Sequence, residues 1–274
     1  MTALPAVRGI SPFLPLVVHV PHAGTHVPAI ARETLLDPVR LHADLNRLTD
    51  WHGADLFQLP GAALCATPVS RLVVDLQCNS DDPLEPRVSV GQGVIYTHDS
   101  QGQRLRPQLA PEQRRQWLDH WYRPWQLKLE LDVLGSLQRH GACLLVDAHS
   151  FPARPLANED DAGCERPDIC LGTGTSTPAW LLDYALDWCA RQGFSVAVDF
   201  PCPGCRVPTA YAADPRVAAI MVAVNRGLYL QQPDPTADPA LGAGYFGVKA
   251  ALNSLLLGMT GRLLDFGLYG YGCE

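Results

Sequence analysis

The chain has 274 residues, 47% of them hydrophobic and 18% charged, with a formal net charge of −7. That length suits one large α/β domain or two small ones, and the composition is that of an ordinary globular protein with a real core. The acidic balance and the lack of a Lys/Arg cluster exclude nucleic acid as the main partner, and no uninterrupted apolar run is long enough for a membrane span.

Met1 to Ser11 lacks a basic region followed by an apolar stretch and a cleavage site, so no secretory signal is predicted. The nine cysteines are odd in number and mostly embedded in core-like segments. They read as reduced thiols, and the expected location is the cytoplasm.

Leu14 to Val20 is an apolar run that ends on Pro21-His22-Ala23-Gly24. It reads as a strand followed by a loop to Pro28. Ala31 to Leu48 has helical spacing, with Leu35, Leu36, Val39, Leu41, Leu45 and Leu48 as expected buried positions, and Pro38 divides it. Thr49-Asp50-Trp51-His52-Gly53 follows, where Asp50 suits a cap or turn. Gly61 to Thr67 reads as a second strand. Arg71 to Leu76 reads as a third, with Arg71 and Asp75 flanking its apolar centre. Asn79 to Thr97 is a long connection of the kind that covers or lines sites.

Pro111 to His140 is the clearest helical region. Trp117, Trp121 and Trp125 recur every four residues, a stripe that reads as core. Pro124 removes a backbone donor and crowds the preceding turn, so two helices are predicted here.

The apolar run Cys143 to Val146 stops on Asp147-Ala148-His149-Ser150. Without polar alternation it suits an interior strand of a mostly parallel sheet. In open α/β sheets the chemistry collects at the carboxyl edge, which is where Asp147, His149 and Ser150 fall. The plainer alternative is a strand end whose His and Asp satisfy loop backbone groups.

Arg154 to Pro167, with Asn158-Glu159-Asp160-Asp161, reads as a solvated loop. Asp168 to Thr173 reads as a strand, Trp180 to Gln192 as a helix and Ser195 to Phe200 as a strand. Cys202-Pro203-Gly204-Cys205 could serve redox chemistry or half of a structural zinc site, but no second such pair follows. Val217 to Leu230 reads as a buried strand leading into a helix, and Ala240 to Leu268 as a closing helix. With no internal repeat and no linker, residues 1–274 are expected to form one domain.

Two strands that each deliver a histidine at their end make a convergent pair. Neutral imidazole and carboxylate are the usual ligands of a catalytic zinc that keeps one position open.

Taken together, these motifs resemble the N-formylglutamate amidohydrolases, a family whose fold is related to the zinc carboxypeptidases. The resemblance runs from about Leu14 to Leu230. It rests on Pro21-His22-Ala23-Gly24, Thr49-Asp50-Trp51-His52, Ser70 to Leu76, Asp147-Ala148-His149-Ser150 and Leu171-Gly172-Thr173. It implies an α/β domain with a mostly parallel or mixed central sheet flanked by helices, of the zinc-carboxypeptidase (phosphorylase/hydrolase-like) kind. It also implies a mononuclear Zn2+ held by His22, Asp50 and His149, which would activate water against an amide or formamide carbonyl. Asp147 is then expected to orient an imidazole or to act as a replacement base. Arg71, Asp75, Ser150 and Arg206 are expected around a small anionic substrate, with Arg71 also in a catalytic role.

The chain departs from that family pattern in four places. Met221-Val222-Ala223-Val224 stands where the family carries Gln-Leu-Glu-Leu, so Ala223 replaces a glutamate that resembles the carboxypeptidase general base. Gln77-Cys78 replaces Asn-Arg, Trp125-Gln126 replaces Tyr-His, and Cys202 to Arg206 replaces a basic, glycine-rich loop. General-base assistance contributes about 10²–10⁴-fold in rate. Two further functions are therefore carried: a catalytically weak homologue that binds a metal or metabolite, and a thiol redox protein acting through Cys202 and Cys205.

Overall fold

The computed structural model describes residues 14–157, 159, 163–231 and 238–269. The N-terminal stretch read as lacking a signal, Asn158, Asp160 and Asp161 of the acidic loop, and Cys273 lie outside the described residues.

In chain order, β1 (Leu16–Val20) is followed by the short α1 (Ala29–Arg32), then α2 (Leu41–Leu48), α3 (Gly53–Leu56) and β2 (Ala63–Ala66). Next come α4 (Pro111–Trp117), α5 (Arg123–His140), β3 (Cys143–Phe151) and β4 (Ile169–Gly172). The chain continues through α6 (Ala179–Gln192), β5 (Val196–Val198), β6 (Val217–Asn225) and α7 (Tyr245–Tyr269). The six strands form one mixed sheet in the order β2-β1-β3-β6-β4-β5. All neighbours are parallel except β4 and β6, which run antiparallel. The expected α/β class with a mixed central sheet is the one observed.

β3 and β6 are the centre, and every residue of β6 is buried. This burial explains their unbroken apolar sequences, since each strand has packed layers on both faces. On one face Leu144, Val146, Ala148, Ile220 and Val222 meet Leu181, Ala185, Leu252, Leu255 and Met259 of α6 and α7. On the other, Val17, Cys143, Leu145 and Ala219 meet Trp125, Leu129 and Val133 of α5.

Four expectations about elements change. Arg71 to Leu76 is a buried turn, not a strand. The Ser70 carbonyl accepts from Val73 N at 2.9 Å and Ser70 Oγ from Leu72 N at 3.2 Å, so the backbone bonds to itself. An apolar run buried on all sides has no period that distinguishes the two. β3 does not stop at Val146 but runs on through His149, because β6 pairs with it in register from Cys143↔Val217 to Phe151↔Asn225.

The two helices expected between Pro111 and His140 are present as α4 and α5, but what separates them is not Pro124. Residues Leu118–Tyr122 form a π-helical turn, and Pro124 falls at the start of α5, where its missing N–H lacks less than it would deep inside an α-helix. Of the six apolar positions named between residues 31 and 48, Leu35 and Leu48 are buried, while Leu36 and Val39 face solvent. Pro38 does begin a new helical turn there.

Candidate metal centre

The first histidine arrives on the turn after β1. Pro21 ends the strand, and the Asp50 backbone N–H donates to the His22 carbonyl at 3.0 Å, which ties the loop after α2 to the loop after β1. The second histidine stands on β3 itself. His149 projects to the α5 face, as does Asp147, because strand side chains alternate.

His22, Asp50 and His149 offer one ligand atom each within 4.8 Å of one another. The two imidazole rings lie 4.9 Å apart between centroids. Asp50 Oδ2 lies 3.2 Å from His149 Nδ1 and 3.8 Å from His22 Nδ1.

Each imidazole is held from behind by a different carboxylate. His22 Nε2 donates to Asp75 Oδ1 at 2.7 Å, and His149 Nε2 to Asp147 Oδ1 at 3.1 Å. A carboxylate only accepts, so both Nε2 atoms carry the hydrogen. In the neutral ring, Nδ1 is then a lone pair, and both lone pairs aim toward the same carboxylate oxygen. Three electron-rich atoms converging in a buried place call for a cation, and the His/His/carboxylate set with carboxylate-backed imidazoles fits a divalent metal.

Asp75 and Asp147 are wholly buried and saturated with donors. Asp75 also accepts from Arg71 Nη2 at 2.8 Å, from the Tyr96 hydroxyl at 2.5 Å and from Gln77 N at 3.0 Å. Asp147 also accepts from His19 Nδ1 at 3.0 Å, Gln77 Nε2 at 2.7 Å and Arg206 N at 2.9 Å. Asp50 Oδ1 accepts from Ser150 Oγ at 2.7 Å and from Arg226 Nη2 at 3.1 Å, leaving Oδ2 to the histidines.

These contacts set the protonation states. Burial pushes the Asp75 and Asp147 carboxyls up, but the Arg71 charge beside Asp75 and the His149 charge and hydrogen bond beside Asp147 hold both well below the carboxylate range. Asp50 is likewise held low, its burial outweighed by His149 and Arg226. Burial, with the Arg71 charge, brings His22 down to about 4. Burial would lower His149 too, but Asp147 and Asp50 raise it to about 10. With a carboxylate on each nitrogen of its ring, the metal-free His149 favours its protonated form.

The expected site residues therefore divide. His22, Asp50 and His149 come together. Asp75 and Asp147 lie behind the two imidazoles, and Ser150 lies beneath Asp50. Arg71 bonds to Asp75 and Tyr96 yet keeps 19% of its side chain exposed. Arg206 bonds to Asp147 through its backbone and to the Tyr122 hydroxyl through Nη2 at 3.0 Å.

His19, Tyr96 and Arg226 belong to the cluster but were not singled out from sequence. Arg226 had a signal, since it directly follows the carboxyl end of a buried strand. Ala223 sits beside His149 on β3 and Cys170 on β4, in a small apolar cluster with Phe151 and Met221 that Cys202 and Cys205 pack against. Cys202 and Cys205 are free thiols, not joined in a disulfide. Burial pushes Cys202 up to about 12 and Cys205 well above its ordinary value, which disfavours the reactive thiolate.

A cavity of about 780 Å³ opens at the amino edge of β3 and β6, lined by Ala142, Trp180, Val217 and Leu263 among others. It contains none of these polar residues, and the chemistry is at the opposite edge. Among the described residues no helix is long and apolar enough to cross a membrane.

Residues 14–230 match the model of the family described as N-formylglutamate amidohydrolase. An N-formylglutamate deformylase of Pseudomonas putida is 30% identical over 235 residues, covering 81% of this chain and 84% of that protein. The crystal structure of an N-formylglutamate amidohydrolase from Ralstonia eutropha JMP134 superposes with a TM-score of 0.75 at 22% identity, covering 93% of this chain and 95% of that one. A gene product of Agrobacterium tumefaciens has the same fold, with a TM-score of 0.63 at 17% identity, covering 93% and 92% of the two chains. The expectation of a hydrolase acting on a linear amide bond accords with the names that two of these relatives carry. The chain belongs to the N-formylglutamate amidohydrolase family.

Proposed function

We propose that this protein is a zinc-dependent amidohydrolase acting on a small N-acylated amino acid, with N-formylglutamate as the first candidate. The observation that carries the reading is the convergence of His22 Nδ1, His149 Nδ1 and Asp50 Oδ2 in front of two buried carboxylates. Zinc held by these three residues would supply the electrophile that polarises the amide carbonyl and makes water nucleophilic at neutral pH.

The other residues act around it. Asp75 and Asp147 hold the two imidazoles by Nε2 and keep Nδ1 free. Ser150 and Arg226 hold Asp50 by Oδ1. Arg71, bonded to the Asp75 that backs His22, keeps 19% of its side chain exposed, and its fork suits a substrate carboxylate or the developing charge on the carbonyl oxygen. Arg206 is the second candidate for the anionic end of the substrate.

Elemental mass spectrometry of the purified protein, beside His22→Ala and His149→Ala, tests the reading. Near-stoichiometric zinc in the wild type, lost in both variants together with hydrolysis of N-formylglutamate, is the expected result. A wild type that takes up no zinc on reconstitution would overturn it.

A second reading, a homologue that binds metal or metabolite with little turnover, is favoured by Ala223. The three carboxylates around the histidines are all engaged as acceptors, so none of them is a free proton acceptor. Under this reading Ala223→Glu raises deformylation above background, and an unchanged rate in a folded variant counts against it.

A further inference from the structure

Behind His149 lies a buried chain of hydrogen bonds that the metal site alone does not require. Trp125 Nε1 of α5 lies 3.2 Å from His19 Nε2. His19 Nδ1 lies 3.0 Å from Asp147 Oδ1, the atom that also accepts from His149 Nε2. His19 and Asp147 are register partners on β1 and β3 and are both fully buried, so water does not compete for these contacts.

We propose that Trp125 and His19 form a tautomer lock on Asp147, and that both are positioning residues for His149. An indole N–H can only donate, so His19 Nε2 must be the unprotonated acceptor. A carboxylate can only accept, so His19 Nδ1 carries the hydrogen. The ring is held as one neutral tautomer, because an imidazolium would set N–H against N–H at the Trp125 contact in a buried place.

The remaining partners of Asp147 are the Gln77 side-chain amide and the Arg206 backbone amide. Three of its four donors are thus neutral groups. The carboxylate's charge is left to His149, whose Nδ1 faces Asp50. Gln77 and Trp125 both stand where the chain departs from its family's pattern, and both act on this one carboxylate.

The consequence for metal binding rests on the function proposed above, whereas the lock does not, and the experiment separates them. The histidines of the metal-free protein are labelled with 15N, and long-range 15N–1H spectra are recorded for the wild type, Trp125→Phe and His19→Gln. Zinc affinity is measured by competition with a chromophoric chelator.

The wild type is expected to show His19 wholly as the Nδ1–H tautomer. Trp125→Phe keeps the aromatic ring but removes the donor, and is expected to release His19 into mixed states. Zinc affinity should then fall on the order of tenfold, at the lower end of losses seen for residues behind a ligand. His19→Gln can accept from the indole and donate to Asp147, so it is expected to retain most of the affinity. An Nε2–H or imidazolium form of His19 in the wild type would overturn the lock, as would an unchanged tautomer in Trp125→Phe. A locked His19 in a protein that binds no zinc would uphold the lock and overturn the metal reading alone.

Discussion

Arg226 reaches from the end of β6 to Asp50, with Nη2 3.1 Å from Oδ1. This contact holds one oxygen of the carboxylate and leaves the other turned toward the two histidines. Arg226 also donates through Nε to Ser150 Oγ at 2.8 Å and through Nη1 to the Arg47 carbonyl at 2.5 Å. Its side chain is 10% exposed and that of Asp50 only 1%.

Removing one partner of such a buried pair leaves the other charge uncompensated, at a cost of about 3–5 kcal/mol. Arg226→Met is therefore expected to lower unfolding stability by that order, read by denaturant titration. Arg226→Lys cannot make all three contacts from a single ammonium, and should recover only part of the loss.

Asp75 is the acceptor shared by His22, Arg71 and Tyr96. Asp75→Asn keeps the shape but weakens the acceptor behind His22 and frees Arg71 from its ion pair. Zinc affinity is expected to fall by about 10–100-fold, measured by chelator competition. An affinity equal to wild type would contradict the orienting role.

The two histidines give the metal-free protein opposite pH dependences. His149, raised to about 10 by Asp147 and Asp50 against burial, contributes stability that is complete below its unfolded value of about 6.5. That contribution is lost as pH rises through about 10. His22, lowered to about 4 chiefly by burial, contributes stability that is present above about 6.5 and lost as pH falls toward 4. Their summed effect is a stability maximum near neutral pH. His149→Gln should remove the alkaline decline, as followed by thermal unfolding across pH.

The same states predict the proton balance of metal binding. At about pH 8, His149 carries a proton on its way to Nδ1 coordination, while His22 and Asp50 do not. Zinc uptake should therefore release about one proton per ion. Calorimetry in buffers of different ionisation enthalpy measures this number, and a value near zero would contradict the raised His149.

Gly24 brings the loop after β1 against the segment that carries Arg71. A Cβ at this position would lie 2.4 Å from the Val69 carbonyl oxygen and 2.7 Å from its carbon. Those are backbone atoms that cannot turn aside. Gly24→Ala should cost about 1–3 kcal/mol, measured by thermal or chemical unfolding, and should loosen zinc binding because the same shift moves His22.

Much of this site was legible in the chain itself. His22 and His149 are readable as a pair because each follows or ends a recognisable apolar run, whereas Asp50 joins them only through the resemblance to the N-formylglutamate amidohydrolases. The α/β class was suggested by unbroken apolar runs such as Cys143 to Val146, which suit a doubly covered strand. Local sequence was less able to tell a buried turn from a strand, since Leu72-Val73-Val74 is an apolar run with all three side chains buried.

What the tertiary structure alone decided was partnership. Asp147 reads from sequence either as an orienting residue for an imidazole or as a base, and its four donors, from residues 19, 77, 149 and 206, fit the orienting role. Arg226 meets Asp50 across 176 positions of chain. Periodicity records which face of an element is apolar, and therefore names elements and their ends. It carries no record of which remote donor will fill a buried carboxylate's lone pairs. That is settled only when β1, β3 and β6 lie side by side and desolvation makes an unpaired carboxylate between them costly.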